Sequence, residues 1–119
     1  QVSTLLNLAI AYFEAGQLQD AELVAHEALG LAPDLAPART VLGAVALEVE
    51  QPEIALCELQ RAIDLDAGDG QAHFYIGLAY KSLNQPAEAL AAFEKALVHA
   101  TDEVMRTRIR RHLNELYAE

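Results

Sequence analysis

A period of 34 residues runs through most of this 119-residue chain, and small residues mark it. Two columns hold alanine in all three copies: Ala21, Ala55 and Ala89 in the first column, and Ala28, Ala62 and Ala96 in the second. The column between them varies in size and holds Ala25, Leu59 and Phe93. Steps of four and three residues place these columns on one face of a helix, where small side chains let a second helix approach closely. A repeat of this length predicts a helical hairpin in each copy.

The first half of each copy has a matching set of columns. They hold Leu8, Leu42 and Ile76, then Ala9, Gly43 and Gly77, and finally Tyr12, Ala46 and Tyr80. Between the two halves of a copy, Gly16 and Asn84 suit the left-handed residue that ends a helix. Pro52 and Pro86 suit the first turn of the helix that follows. Glu50 stands in the copy that lacks this helix-ending chemistry. Together these patterns predict an all-α fold.

The composition agrees with a helical globular chain and excludes several classes of partner. Hydrophobic residues make up 53% of the chain, with only six Gly and four Pro, which favours helix. A net charge of −10 argues against nucleic acid and against anionic lipid surfaces as partners. No apolar run approaches the roughly 20 residues of a membrane helix, so we expect no membrane insertion. The compartment stays open, with the cytoplasm as the default expectation.

The last segment departs from the repeat. A fourth copy would place Arg110 and Arg111 in the apolar and small columns, where they could not pack. Instead an apolar stripe runs through Met105, Ile109, Leu113 and Leu116, and Thr101 or Asp102 can cap the start of this helix. We predict repeats at 1–35, 36–69 and 70–102 and a capping helix at 103–119, which solvates the end of the stack. A docking helix for another protein is the alternative interpretation.

The columns resemble the tetratricopeptide repeat over about residues 2–103. The first copy matches the family pattern at Leu5, Leu8, Ala9, Tyr12, Gly16, Ala21, Ala25, Ala28 and Pro33. The resemblance implies a right-handed superhelical solenoid of antiparallel helix hairpins that acts as a protein-interaction module. Arg39 and His73 depart from the pattern, because they occupy a column that usually holds a large aromatic residue.

No constellation in the sequence suits catalysis or metal binding. His26, His73, His99 and His112 share no helical i, i+4 spacing, and Cys57 is the single cysteine. The stretch LDAGDG at 65–70 fails as a calcium loop, because Asp69 stands where such a loop needs Gly. We therefore predict a non-enzymatic protein without a cofactor.

The resemblance also implies a concave groove lined by the first helix of each repeat. The groove columns of the first copy hold Ser3, Leu6, Asn7, Ile10, Phe13 and Glu14. Those of the second hold Pro37, Thr40, Val41, Ala44, Leu47 and Glu48, and those of the third hold Gln71, Phe74, Tyr75, Leu78, Lys81 and Ser82. This groove would be largely apolar and flanked by carboxylates.

An apolar groove of this kind suits a partner helix or extended peptide with hydrophobic anchors and flanking basic residues. Family members that grip the C-terminal carboxylate of chaperones carry Lys, Asn or Arg at columns that here hold Leu6, Ile10, Val41, Gln71 and Tyr75. That ligand class is therefore not expected. The alternative is a self-associating scaffold, a homo-oligomer or a longer repeat array, that buries the same apolar residues.

Overall fold

The computed structural model describes residues 1–118, and within them all regular structure is helical. The seven helices are α1 (Val2–Glu14), α2 (Leu18–Leu31), α3 (Ala36–Glu48), α4 (Pro52–Leu65), α5 (Gly70–Ser82), α6 (Pro86–His99) and α7 (Glu103–Ala118). Helices α1 and α2, α3 and α4, and α5 and α6 pair as hairpins, which stack in chain order, and α7 packs against α6. The predicted all-α solenoid of three hairpins and a final helix is confirmed. None of these helices is long and apolar enough to cross a membrane.

The three hairpin turns share one backbone geometry. Gly16, Glu50 and Asn84 have positive φ angles of 80°, 62° and 61°. In each turn the next residue donates its backbone N–H to a carbonyl five positions back, for example Gln51 to Ala46 at 2.8 Å. This pattern is the Schellman motif, which satisfies the last carbonyls of a helix. The fold therefore holds Glu50 in a conformation that favours glycine.

We expect Glu50→Gly to raise the free energy of unfolding by about 0.5–1 kcal/mol, because glycine relieves the strain of a left-handed residue. Urea denaturation of the two proteins measures the difference. Glu53→Gly is the matched control, since Glu53 lies in the first turn of α4 and loses helix propensity when replaced. A destabilised Glu50→Gly protein would mean that the Glu50 side chain contributes more than its backbone strain costs.

Small residues let the two helices of each hairpin approach. An added Cβ at Gly43 would lie 2.5 Å from Leu59 Cγ, and one at Gly77 would lie 2.6 Å from Phe93 Cε1. Ala89 and Ala96, on either side of Phe93, are completely buried. Gly43 and Gly77 therefore each seat a large side chain of the facing helix directly against backbone.

Helix α7 covers the end of the stack. Its Ile109 and Leu113 are buried in one cluster with Phe74 and Phe93. Asp102 caps the helix start, where its Oδ1 accepts from the Met105 backbone N–H at 2.8 Å. The predicted capping interaction is thus made by Asp102.

The two residues that depart from the family's aromatic column both find polar partners. Arg39 forms an ion pair with Glu58 of α4 at 3.1 Å. His73 is buried, and its Nε2 donates to the Ala67 carbonyl at 3.0 Å. Neither substitution leaves a buried polar group unpaired, so both are compatible with the packing.

Candidate functional site

An open cavity of about 450 Å³ lies on one face of the solenoid, surrounded by α1, α3, α5 and α7, the α4–α5 turn, the end of α6 and the α6–α7 connection. Helices α1, α3 and α5 are the first helices of the three hairpins, and α7 also contributes residues to the cavity. The cavity is lined by Ile10, Phe13, Glu14, Pro37, Thr40, Val41, Ala44, Asp66, Gly68, Asp69, Gly70, Gln71, Tyr75, His99, Thr101, Met105 and Arg108. Its volume is within the range of small-molecule and side-chain binding pockets.

Part of the sequence-predicted groove lines this cavity. The residues concerned are Ile10, Phe13, Glu14, Val41, Ala44 and Tyr75, with Pro37, Thr40 and Gln71 from the wider set. Val41 and Ala44 are buried on α3, whereas Phe13 and Tyr75 are half-buried on the flanking helices. The rings of Phe13 and Tyr75 meet edge to face, with centroids 6.4 Å apart. This aromatic pair therefore joins α1 and α5 above the buried residues of α3.

The rest of the predicted set lies elsewhere. Leu6, Asn7, Leu47 and Glu48 do not line the cavity. Phe74, Leu78 and Lys81 of α5 face the capping helix instead of an open groove.

Contacts with α7 explain why those α5 residues are covered. Phe74 is only 3% exposed and packs with Phe93 and Ile109. Lys81 Nζ lies 2.6 Å from Glu115 Oε1 and 3.1 Å from His112 Nδ1. The third copy's share of the groove is therefore largely occupied by the protein's own last helix.

Sequence reasoning missed two cavity residues on α7, Met105 and Arg108. They lie 34 positions after Gln71 and Phe74, which belong to the groove columns of the third copy. Extending the repeat period into the capping helix would have identified them. The α4–α5 turn adds Asp66 and Asp69, the end of α6 adds His99, and the α6–α7 connection adds Thr101. The groove columns give no signal for these residues.

Two family models described as tetratricopeptide repeat match the chain, at residues 2–32 and 70–102. The chain belongs to the tetratricopeptide repeat family. The hairpin between the matched segments follows the same 34-residue columns, so the family assignment is consistent along the three hairpins. Tetratricopeptide repeats are generally non-catalytic modules of protein–protein interaction, and this is the coarse function that the family supports.

A curated relative of this repeat module is the cytochrome c-type biogenesis protein CycH of Rhizobium meliloti (strain 1021). The two are 34% identical over 116 residues, which cover 93% of this chain and 30% of the relative. The chain therefore spans less than a third of that protein's length.

Two solved structures illustrate the likeness in fold. The first TPR of Spaghetti (RPAP3) bound to the HSP90 peptide SRMEEVD has a TM-score of 0.82 at 18% identity, covering 100% of this chain and 94% of that chain. The type III secretion translocator chaperone SycD of Yersinia enterocolitica has a TM-score of 0.86 at 18% identity, covering 98% and 83% respectively. At this level of identity the likeness supports the fold alone.

The charged side chains in the cavity of this repeat module differ in their hydrogen bonds and ion pairs. Asp69 caps α5 by accepting from the Ala72 backbone N–H at 3.2 Å, and its second oxygen accepts from the Thr40 hydroxyl at 3.1 Å. Asp66 accepts from the Gly68 backbone N–H at 3.2 Å. Glu14 and Arg108 form no ion pair with another residue in 1–118. These two charges are therefore available to a ligand.

The cavity environment also holds Tyr75 in its protonated form. Burial raises the pKa of the Tyr75 hydroxyl, Arg108 lowers it by a smaller amount, and the carboxylates of Glu48 and Glu14 raise it. The hydroxyl therefore stays, as in an unperturbed tyrosine, a neutral donor and acceptor near physiological pH. The hydroxyl lies within electrostatic reach of both Glu14 and Arg108.

The contact between α5 and α7 includes a histidine whose environment favours the neutral form. His112 stacks on the Phe93 ring with centroids 5.3 Å apart, and burial there, followed by the charge of Lys81, lowers its pKa. Its unprotonated Nδ1 can then accept from the Lys81 ammonium. This arrangement fixes Lys81 against α7 and away from the cavity.

Within residues 1–118 no group of three or more His, Cys, Asp or Glu side chains is arranged to hold a metal ion. Cys57 is exposed on α4, outside the cavity. The cavity contains half-buried apolar walls and charged residues at its sides, an arrangement that can bind a side chain and a charge.

Proposed function

We propose that this module binds a helix or an extended peptide segment of a partner protein in the cavity, without catalysing a reaction and without a cofactor. The observation that carries the proposal is the set of half-buried apolar residues on the cavity walls, above all Ile10, Phe13 and Tyr75. Partly exposed aromatic and aliphatic side chains around a concave site are typical anchors for a partner's hydrophobic side chain. A volume of about 450 Å³ accommodates a few such side chains.

The charge of the cavity supports a basic residue beside the partner's anchor. Glu14 lines the cavity at the end of α1 without an ion pair in residues 1–118. Glu48 acts on Tyr75 electrostatically from the end of α3. A Lys or Arg of the partner near these carboxylates would gain favourable electrostatic energy that salt weakens.

The columns that grip a C-terminal carboxylate in other family members remain unfavourable for that ligand. Ile10, Val41 and Tyr75 line the cavity at those columns, and none of them carries a positive charge. We therefore propose an internal segment of the partner as the ligand of the apolar part of the site.

The test compares two isoleucine substitutions. Peptides selected from a displayed random library against the wild-type protein serve as the probe, and fluorescence anisotropy measures their affinity for Ile10→Glu and Ile54→Glu. Ile10 lines the cavity, whereas Ile54 lies on α4, outside it, and is 53% exposed. We expect about tenfold or greater weakening for Ile10→Glu, because a buried charge opposes an apolar anchor, and unchanged affinity for Ile54→Glu.

Circular dichroism melting confirms that both variants fold. Equal affinity of the two variants for the selected peptides would contradict the proposed site.

A second candidate function is assembly through the first hairpin, either with another copy or within a longer repeat array. Leu8 is 40% exposed, whereas its equivalents Leu42 and Ile76 are 5% and 7% exposed because a preceding hairpin covers them. The same type of packing surface is thus open at α1. Light scattering across micromolar concentrations tests the candidate: self-association that Leu8→Glu abolishes and Ile10→Glu retains would assign assembly to this face and not to the cavity.

A further inference from the structure

Arg108 brings a positive charge into a cavity whose other ionised side chains are carboxylates. It lies on α7, is exposed, and faces the same space as Phe13 and Tyr75. Among the cavity-lining residues it is the one Lys or Arg, and the other charged residues are Glu14, Asp66 and Asp69. Because Arg108 has no carboxylate partner within residues 1–118, its guanidinium is available to a ligand.

The guanidinium of Arg108 is supported by a buried ring beneath it. Its Cζ lies 5.2 Å from the centroid of the Phe74 ring, a cation–π arrangement. Phe74 itself is buried among Phe93 and Ile109 and does not move freely. A guanidinium that rests on a rigid ring loses little side-chain entropy when it binds an anion.

The two available charges lie on the first and last helices that line the cavity. Glu14 ends α1, Arg108 belongs to α7, and the apolar residues Val41, Ala44 and Tyr75 lie on the helices between them. The site is therefore negative at α1 and positive at α7, with apolar residues of α3 and α5 between these two charges, and the carboxylates of Asp66 and Asp69 lie at the α4–α5 turn. A segment that crosses it encounters these surfaces in a fixed order.

We propose that Arg108 binds an acidic side chain of the partner segment and thereby sets the direction in which that segment lies across the cavity. This inference rests on the proposed function and adds a recognition element to it. The occupant is a peptide segment with Asp or Glu on one side of an apolar anchor and Lys or Arg on the other. Carboxylate suits the planar guanidinium, because the two can form parallel hydrogen bonds.

The test is charge reversal with rescue. Peptides selected from the displayed library against wild type are resynthesised with their conserved acidic residue changed to Lys. Affinities of both peptides are measured by fluorescence anisotropy for wild type, Arg108→Glu and Arg110→Glu. Arg110 is the matched control: it lies on the same helix, outside the cavity, and its reversal changes the net charge equally.

The expected result is an acidic residue in the selected peptides and about tenfold weaker binding of these peptides to Arg108→Glu. The Lys-containing peptide should regain that affinity with Arg108→Glu, while Arg110→Glu should behave as wild type. Selected peptides without an acidic preference would overturn the inference. Equal effects of the two reversals, or failure of the Lys peptide to rescue, would also overturn it.

The outcomes separate this inference from the proposal beneath it. Peptides that lose affinity for Ile10→Glu but not for Arg108→Glu leave the binding function in place and overturn the role of Arg108. An absence of selected peptides, or peptides insensitive to Ile10→Glu, overturns both. A wild-type oligomer that blocks the cavity, detected by light scattering, would identify a second copy as the occupant and overturn the assignment to a foreign segment.

Discussion

Phe93→Ala is expected to lower the free energy of unfolding by about 3–5 kcal/mol, because it removes a large, completely buried ring. The ring packs against Phe74 with centroids 5.9 Å apart, stacks on His112 of α7, and contacts Gly77. Its loss therefore leaves a cavity at the junction of α5, α6 and α7. Urea denaturation followed by circular dichroism measures the change.

Phe13→Ala is the matched control for this prediction. Phe13 is half-buried at the cavity, so its truncation exposes less of the core and should cost less than that of Phe93. Equal losses of stability would mean that the helices close around the missing Phe93 ring, so that no empty space remains at the junction of α5, α6 and α7. That result would contradict the prediction.

The fold was predictable from the sequence because each hairpin repeats one packing solution. Ala55 and Ala89 occupy a column that tolerates only small side chains, and both are completely buried. Such columns indicate where two helix backbones approach closely, and their 34-residue period predicts the succession of hairpins along the chain. Glu50 adopts the left-handed conformation without a favourable residue type, since the tertiary contacts of the hairpin outweigh the local preference.

The site was predictable only in part. Ile10 and Tyr75 follow from the groove columns, because helices that pack in parallel rows present the same column to the concave side. Phe74 and Lys81 occupy the same kind of column, yet α7 covers them. The place where a terminal helix docks depends on its tertiary contacts. Arg110 and Arg111 indicated that the repeat ends before α7, so the repeat columns were not extended to Arg108.

Gly77→Ala is expected to destabilise the protein by about 1–3 kcal/mol, although alanine is the better helix former. The new Cβ would lie 2.6 Å from Phe93 Cε1, closer than real contacts permit, and the buried ring cannot retreat. Thermal and urea denaturation measure the loss.

Gly30→Ala is the control for the intrinsic effect of the substitution. Gly30 lies in the last turn of α2 and an added Cβ there meets no atom within 4 Å, so this change should stabilise the protein by about 0.5 kcal/mol. A stabilising effect at both glycines would show that α5 and α6 separate at little cost, and would contradict the close packing.

The first hairpin suggests a double variant that tests whether the Phe93 ring causes the destabilisation by Gly77→Ala. Its columns hold Ala9 where the third copy has Gly77, and Ala25 where the third copy has Phe93. The first hairpin thus has a slightly larger residue in its first helix and a much smaller one in its second, and Ala9 and Ala25 are both completely buried. The double variant Gly77→Ala with Phe93→Ala recreates the first hairpin's pair, so Gly77→Ala should become neutral or stabilising in that background. A double-mutant cycle measures this coupling, and additive effects would mean that the small column is set by something other than the ring that faces it.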